Sequence, residues 1–291
     1  MKNLIKLLFL IPFLSIYLFA NADINIQKGV LLIGEEQNQE FTISSKFHEQ
    51  DYLIQVYKPK AEKPINGYDV VYILDGNATF PYASVIAQAI DDMSYRTKKV
   101  PPLIVAIGYT SGELFDLKAR SFDYTPPYKG ELKTISNRGS SEHVQGGAEK
   151  FYNFLQNELK PIIEENYPIN TKKQTLFGHS YGGLFTLYAF LNHNEDFQNF
   201  IAASPSIWWN DFFILNQLKN KNLEVKNPTR LYLSVGEIEN KGKNPSDIET
   251  FSSYLKNTQN LKIKILNISN ASHLEALFPA LNEIFKLESI E

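Results

Sequence analysis

Gly178-His179-Ser180-Tyr181-Gly182 lies between an apolar run, Gln174 to Phe177, and a helix-patterned run, Gly183 to Leu191. This G-x-S-x-G pentapeptide constrains the fold more than any other feature of the chain, because it requires a strand that reverses sharply into a helix. Small residues two before and two after the serine let the backbone fold back without Cβ clashes, and the turn stores strain. The serine hydroxyl then stands above the sheet end, beside a helix N-terminus whose dipole favours developing negative charge. The spacing alone recurs by chance; the flanking strand and helix give it catalytic meaning.

The rest of the pattern agrees with that context. Two period-2 stretches, Glu40 to Lys46 and Tyr52 to Lys58, flank a polar segment and predict an antiparallel hairpin. Asp69 to Leu74 and Pro102 to Gly108 are continuous apolar runs, expected of strands buried on both faces. Phe200 to Ala203, Arg230 to Val235 and Lys262 to Ile268 supply further strands. Helical spacing covers Thr79 to Ser94, Gly147 to Asn166 (with Pro161 as a kink), Ile248 to Lys256 and Leu274 to Leu287. Tyr109 to Gln145 reads as one long irregular loop, a length that in a compact domain carries function or mobility. Alternating strands and helices predict an α/β fold, a mostly parallel central sheet with helices on both faces. No repeat or linker divides residues 23–291, which read as a single domain.

Residues 1–22 read as a signal peptide: Lys2 and Lys6, an apolar stretch Leu7 to Phe19, then Ala20-Asn21-Ala22. The apolar run is short for a membrane span, so a periplasmic or secreted protein without stable membrane association after cleavage is expected. The chain has no cysteine, which excludes disulfides, a lipidated cysteine, thiolate catalysis and cysteine-based metal sites. Without Lys2 and Lys6, 27 basic residues face 32 acidic ones, a balance that argues against nucleic acid as the partner.

A serine hydroxyl needs an imidazole to take its proton, and the imidazole needs an acid to fix its tautomer. Of the five histidines, His48 falls in the hairpin turn, His143 in the long loop, His179 beside the serine and His193 after the elbow helix. His273 follows the last strand and fits the order serine, acid, histidine. The acid is expected after the strand ending at Val235, where Glu239 is preferred and Glu237 is the alternative. The oxyanion hole needs two backbone N–H groups. Tyr181 would supply one and Asn77, in the Asp75-Gly76-Asn77 turn, the other.

Leu74-Asp75-Gly76, Arg120-Ser121-Phe122-Asp123-Tyr124-Thr125-Pro126, Gly178 to Gly183, Ser204-Pro205-Ser206-Ile207-Trp208-Trp209 and Ser272-His273 together resemble the esterase D/enterobactin esterase family. The resemblance runs from about Glu40 to Leu287 and is greatest to periplasmic hydrolases of enterobactin-type trilactone siderophores. It implies an α/β-hydrolase fold, Ser180 as nucleophile and His273 as base. The family's Gly-x-x-acid pattern falls on Gly236 to Glu239, and because some siderophore esterases use a Ser–His pair alone, the acid's role stays open.

The same resemblance gives the long loop a purpose. Two of the four arginines, Arg120 and Arg138, lie in it, and Arg120 is the one expected to meet a catecholate or its anionic ferric complex. Trp208 and Trp209 are expected to form an aromatic wall, one of them facing the pocket if the segment is extended. The implied enzyme is a serine carboxylic-ester hydrolase with a small-molecule ester substrate, without metal or organic cofactor. Alternatives are a carbohydrate acyl or feruloyl esterase, an acyltransferase of the mycolyltransferase kind, or a binding protein that has lost catalysis.

Overall fold

The computed structural model describes residues 25–27, 30–34, 36–132, 142–239, 241 and 246–287. The expected signal peptide and Arg138 lie outside the described residues. Among the described residues ten strands form one sheet: β1 (Asn25–Gln27), β2 (Val30–Gly34), β3 (Asn38–Ser44), β4 (Asp51–Tyr57), β5 (Tyr68–Leu74), β6 (Leu103–Tyr109), β7 (Ile169–His179), β8 (Asn199–Ala203), β9 (Thr229–Gly236) and β10 (Leu261–Ile268). Their order is β1-β2-β3-β4-β6-β5-β7-β8-β9-β10. From β6 to β10 every neighbouring pair is parallel, whereas β1 to β4 join by antiparallel pairing and β4 meets β6 antiparallel. The predicted hairpin is β3–β4, with Phe41 opposite Ile54.

Period-2 alternation in the buried strands divides the core between the two faces of the sheet. Val70, Tyr72 and Leu74 of β5 point to one face and Val71 and Ile73 to the other. The second face is covered by α1 (Gly76–Asp92), through Phe80, Ala83 and Ala87, and by a short C-terminal helix, through Leu277, Ala280 and Leu281. A four-residue helix, α2 (Ser94–Thr97), follows α1. The first face carries α4 (Ala148–Phe154), α5 (Lys160–Asn166), α6 (Tyr181–Asn192), α7 (Trp209–Lys219) and α8 (Asp247–Ser253). Every residue of α6 from Gly182 to Leu191 is buried, as a helix leaving the centre of a sheet should be.

The structure adds to or departs from the local reading at four places. The Tyr109–Gln145 stretch is not a bare loop: it holds α3 (Leu117–Asp123), whose N-cap Asp116 accepts the Ala119 N–H at 2.9 Å. Between α4 and α5 a π-helical turn spans Leu155–Leu159, ending two residues before Pro161. Proline lacks the N–H that would pair with the carbonyl four residues back, and the widened turn takes up the mismatch. The predicted C-terminal helix is shorter, α9 (Leu277–Leu281) running into a 3-10 turn over Asn282–Phe285, so His273 stays in a turn. Helix α7 was not foreseen; Asn210, Asp211 and Phe212 at its start have left-handed φ values.

Candidate active site

The C-terminal ends of β5, β7, β8, β9 and β10 meet at one edge of the sheet, where parallel strands leave their loops and a cleft forms. Ser180 connects β7 to α6 with φ 60° and ψ −116°, a region disfavoured for any residue with a side chain. Its N–H donates to the Ala203 carbonyl at 2.9 Å, and its own carbonyl accepts the Ser206 N–H at 3.1 Å, so β8 and the turn after it hold the strained residue from both sides. The glycines flanking it differ in what they permit. A Cβ on Gly178 would lie 2.2 Å from the Gly182 carbonyl oxygen, and one on Gly183 would lie 2.9 Å from both the Ala203 carbonyl oxygen and Pro205 Cα. At Gly182 the nearest atoms would be 3.5 Å away, an ordinary contact, so the crowding falls on Gly178 and Gly183 rather than evenly on the motif's two glycines.

His273 follows β10, in a turn closed by the Ala276 N–H to Ser272 carbonyl bond of 3.0 Å. Its Nδ1 lies 2.5 Å from Glu239 Oε2. The other carboxylate oxygen accepts the Gly236 N–H at 2.8 Å and the hydroxyl of Ser204. Burial alone would raise the Glu239 pKa; the bonds from His273, Ser204 and Gly236 outweigh it and lower it to about 2. Glu239 is therefore a carboxylate at neutral pH, and its contact with Nδ1 leaves the opposite ring nitrogen as the site for proton exchange. Glu237, the alternative acid, faces away and accepts the Asn270 N–H at 2.9 Å.

Ser180, Glu239 and His273 line a cleft of about 300 Å³ together with Ser204, Pro205, Ser206, Trp208, Val235, Ser246, Asp247 and Ile248. The Ser180 and Ser206 hydroxyls are 3.4 Å apart. His179 is buried, its Nε2 donating to the His273 carbonyl at 2.9 Å. Desolvation first, then the proximity of His273, lowers its pKa to about 4, so it is a neutral prop under the His273 turn. Sequence position marks His179 only as a neighbour of the serine.

Asn77 and Tyr181 stand in the first turns of α1 and α6. The Asn77 side chain pairs twice with the Tyr109 main chain, donating to its carbonyl at 2.9 Å and accepting its N–H at 2.7 Å, which fixes the start of α1 against β6. Asp75, just before α1, has left-handed φ 54°.

Arg120 is placed differently from the expectation of an exposed ligand contact. It is 8% exposed, and its Nε and one terminal nitrogen donate to the two Asp75 carboxylate oxygens at 2.9 and 3.0 Å. Desolvation pulls its pKa down, but the Asp75 carboxylate more than compensates and holds the guanidinium charged. It thus braces the turn before α1 instead of lining the cleft. The two tryptophans also divide, though not by strand alternation, because the segment is a turn entering α7. Trp208 lines the cleft with its ring 6.3 Å from Tyr181. Trp209 is core, its indole N–H donating to Gln145 Oε1 at 2.6 Å.

The model of the Esterase family (described as "Putative esterase") matches residues 44–275. Ferri-bacillibactin esterase BesA of Bacillus subtilis (strain 168) is 34% identical over 242 residues, 81% of this chain and 83% of the relative. An apo-salmochelin esterase of Escherichia coli O6:H1 (strain CFT073) is 35% identical over 158 residues, 54% of this chain and 47% of the relative. The crystal structure of the BES protein from Bacillus cereus superposes with a TM-score of 0.76 at 31% identity, covering 90% of this chain and 98% of that one. The chain belongs to the esterase family, and its sheet and elbow are those of an α/β-hydrolase.

Proposed function

We propose that this esterase hydrolyses ester bonds in catecholate siderophores of the trilactone type, with Ser180 as nucleophile, His273 as general base and Glu239 as the acid that orients it. The observation carrying the catalytic assignment is the 2.5 Å contact between His273 Nδ1 and Glu239 Oε2 in the wall of the cleft that holds Ser180. The substrate class rests on the relatives named ferri-bacillibactin and apo-salmochelin esterase and on the Trp208–Tyr181 aromatic pair at the cleft, which suits aryl groups.

In this mechanism His273 takes the Ser180 proton as Oγ attacks the ester carbonyl. The Tyr181 and Asn77 N–H groups stabilise the oxyanion, and imidazolium returns the proton to the leaving alkoxide. Water, deprotonated by the same imidazole, then cleaves the acyl-enzyme. A ferric ion, where present, arrives with the substrate.

Incubating the protein with enterobactin in iron-free and ferric forms, and following products by mass spectrometry, should show linear trimer, dimer and monomer in succession. None should form with Ser180→Ala. Survival of the trilactone alongside Ser180-dependent cleavage of a simple aryl ester would leave the hydrolase chemistry and move the substrate to acyl sugars. Ligand affinity without any turnover would reduce the chain to a binding protein.

We also propose export, on the basis of Lys2, Lys6, the Leu7–Phe19 apolar stretch and Ala20-Asn21-Ala22. Expressed in a Gram-negative host, the protein should be recovered from the periplasm or medium with an intact mass beginning at Asp23. A cytoplasmic product that retains residues 1–22 would refute this.

A further inference from the structure

The Ser204-Pro205-Ser206 turn after β8 touches both the nucleophile and the acid of the site. Ser204 has φ 41°, a left-handed conformation in which glycine would be unstrained and a side chain is not. It is 4% exposed, and its N–H donates to the Ser234 carbonyl at 2.8 Å, tying the turn to β9. From this strained backbone the hydroxyl points at Glu239 and donates to Oε1, the oxygen that also accepts the Gly236 N–H. Gly236 leaves room for this arrangement, since a Cβ there would lie 2.4 Å from the Ala271 carbonyl oxygen on the segment leading to His273.

We infer that Ser204 is a positioning residue for the esterase reaction, holding one oxygen of Glu239 so that the other presents to His273 Nδ1. The inference rests on the reading of Glu239 as the orienting acid. A glutamate has one more rotatable bond than an aspartate and needs more fixed points to hold a carboxylate in one place. Two donors on Oε1, one from the turn after β8 and one from the end of β9, supply them. The end of β8 and this turn bracket the nucleophile: Ala203 accepts the Ser180 N–H and Ser206 donates its N–H to the Ser180 carbonyl. Pro205 closes the bracket from the other side, its Cα placed so that only a glycine fits at position 183. One short turn therefore sets the acid and the nucleophile in a common frame.

The test is a double-mutant cycle between Ser204 and Glu239, read on an activated aryl ester so that slow variants stay measurable. Ser204→Ala and Ser204→Gly should each lower kcat about tenfold, the size expected for one hydrogen bond to a charged group, with KM little changed. Ser204→Gly removes the hydroxyl without backbone strain, so it reports on the bond even if the alanine variant fails to fold. In a Glu239→Ala background the same substitutions should change kcat by less than about twofold, because the group through which Ser204 acts is gone. An equal loss in both backgrounds would make Ser204 merely structural and overturn the inference while leaving Glu239's role intact. Full activity of Ser204→Gly in the parent would also overturn it. Parent-like kcat for Glu239→Ala alone would instead remove the reading on which the inference rests.

Discussion

Ser180→Ala is expected to lower kcat for ester hydrolysis by roughly 10⁴-fold or more while the melting temperature stays near that of the parent. The rate falls because no other hydroxyl occupies the apex of the β7–α6 turn; Ser206, 3.4 Å from Ser180 Oγ, follows a different strand and lacks the elbow backbone. Stability is spared for two reasons. Alanine keeps the Cβ, so the strain at φ 60° is the same before and after the change. The 3.4 Å separation from Ser206 is also long for an O–H···O bond, so little is lost with the hydroxyl. Steady-state kinetics on an aryl ester and a thermal melt decide it. Residual activity within tenfold of the parent would mean that Ser180 is not the nucleophile.

Arg120→Met should destabilise the fold by about 3–5 kcal/mol, the cost of leaving a buried charge without its partner. Asp75 is 2% exposed, and the two Arg120 bonds at 2.9 and 3.0 Å satisfy both its oxygens. The guanidinium also lies 5.6 to 5.8 Å from the ring centres of Tyr124, Tyr181 and Phe115, so its removal forfeits these cation–π contacts as well. Combining Asp75→Asn with Arg120→Met should recover part of the loss, since neither charge is then stranded. Urea denaturation of the parent, single and double variants provides the comparison. A loss below about 1 kcal/mol for Arg120→Met would show that the pair is weakly buried in solution. Activity should fall with stability, because Asp75 opens the turn that carries Asn77, whose amide is the proposed oxyanion donor.

The elements legible in the sequence were those with strong local patterning. Val70-Val71-Tyr72-Ile73-Leu74 and Leu103 to Ile107 are apolar on both faces because helices cover both sides of them, and such runs read as buried strands without further context. The hairpin of β3 and β4 was legible because one of its faces meets the core and the other solvent. Helix α7 was not, since its buried Ile214, Leu215 and Leu218 are too few and too close to two tryptophans to establish a period. Helix α3 was hidden by the surrounding Pro, Gly and Tyr content, although Asp116 was an available N-cap signal.

At the site, the order of Ser180, an acid and His273 could be read from chain position alone. Glu237 and Glu239 are two residues apart in the same loop; the Gly-x-x-acid spacing favours Glu239 but gives no physical reason for the choice. Their roles diverge because Ser204 and Gly236 offer donors to one while Asn270 offers a donor to the other. Arg120 was misplaced for a related reason: its partner Asp75 lies 45 residues away in the chain, and an arginine in a polar, aromatic-rich segment looks solvated until the packing around it is known.

Residue order and periodicity by themselves determined the α/β class, the strand–serine–helix reversal and the histidine available after the last strand, because each follows from steric and hydrophobic preferences of contiguous residues. Only the tertiary structure decided which glutamate meets His273, that Arg120 neutralises Asp75 inside the protein, and that Trp208 rather than Trp209 lines the cleft. Those outcomes depend on side chains brought together from the ends of different strands, where burial and the supply of hydrogen-bond partners, not local propensity, set the arrangement.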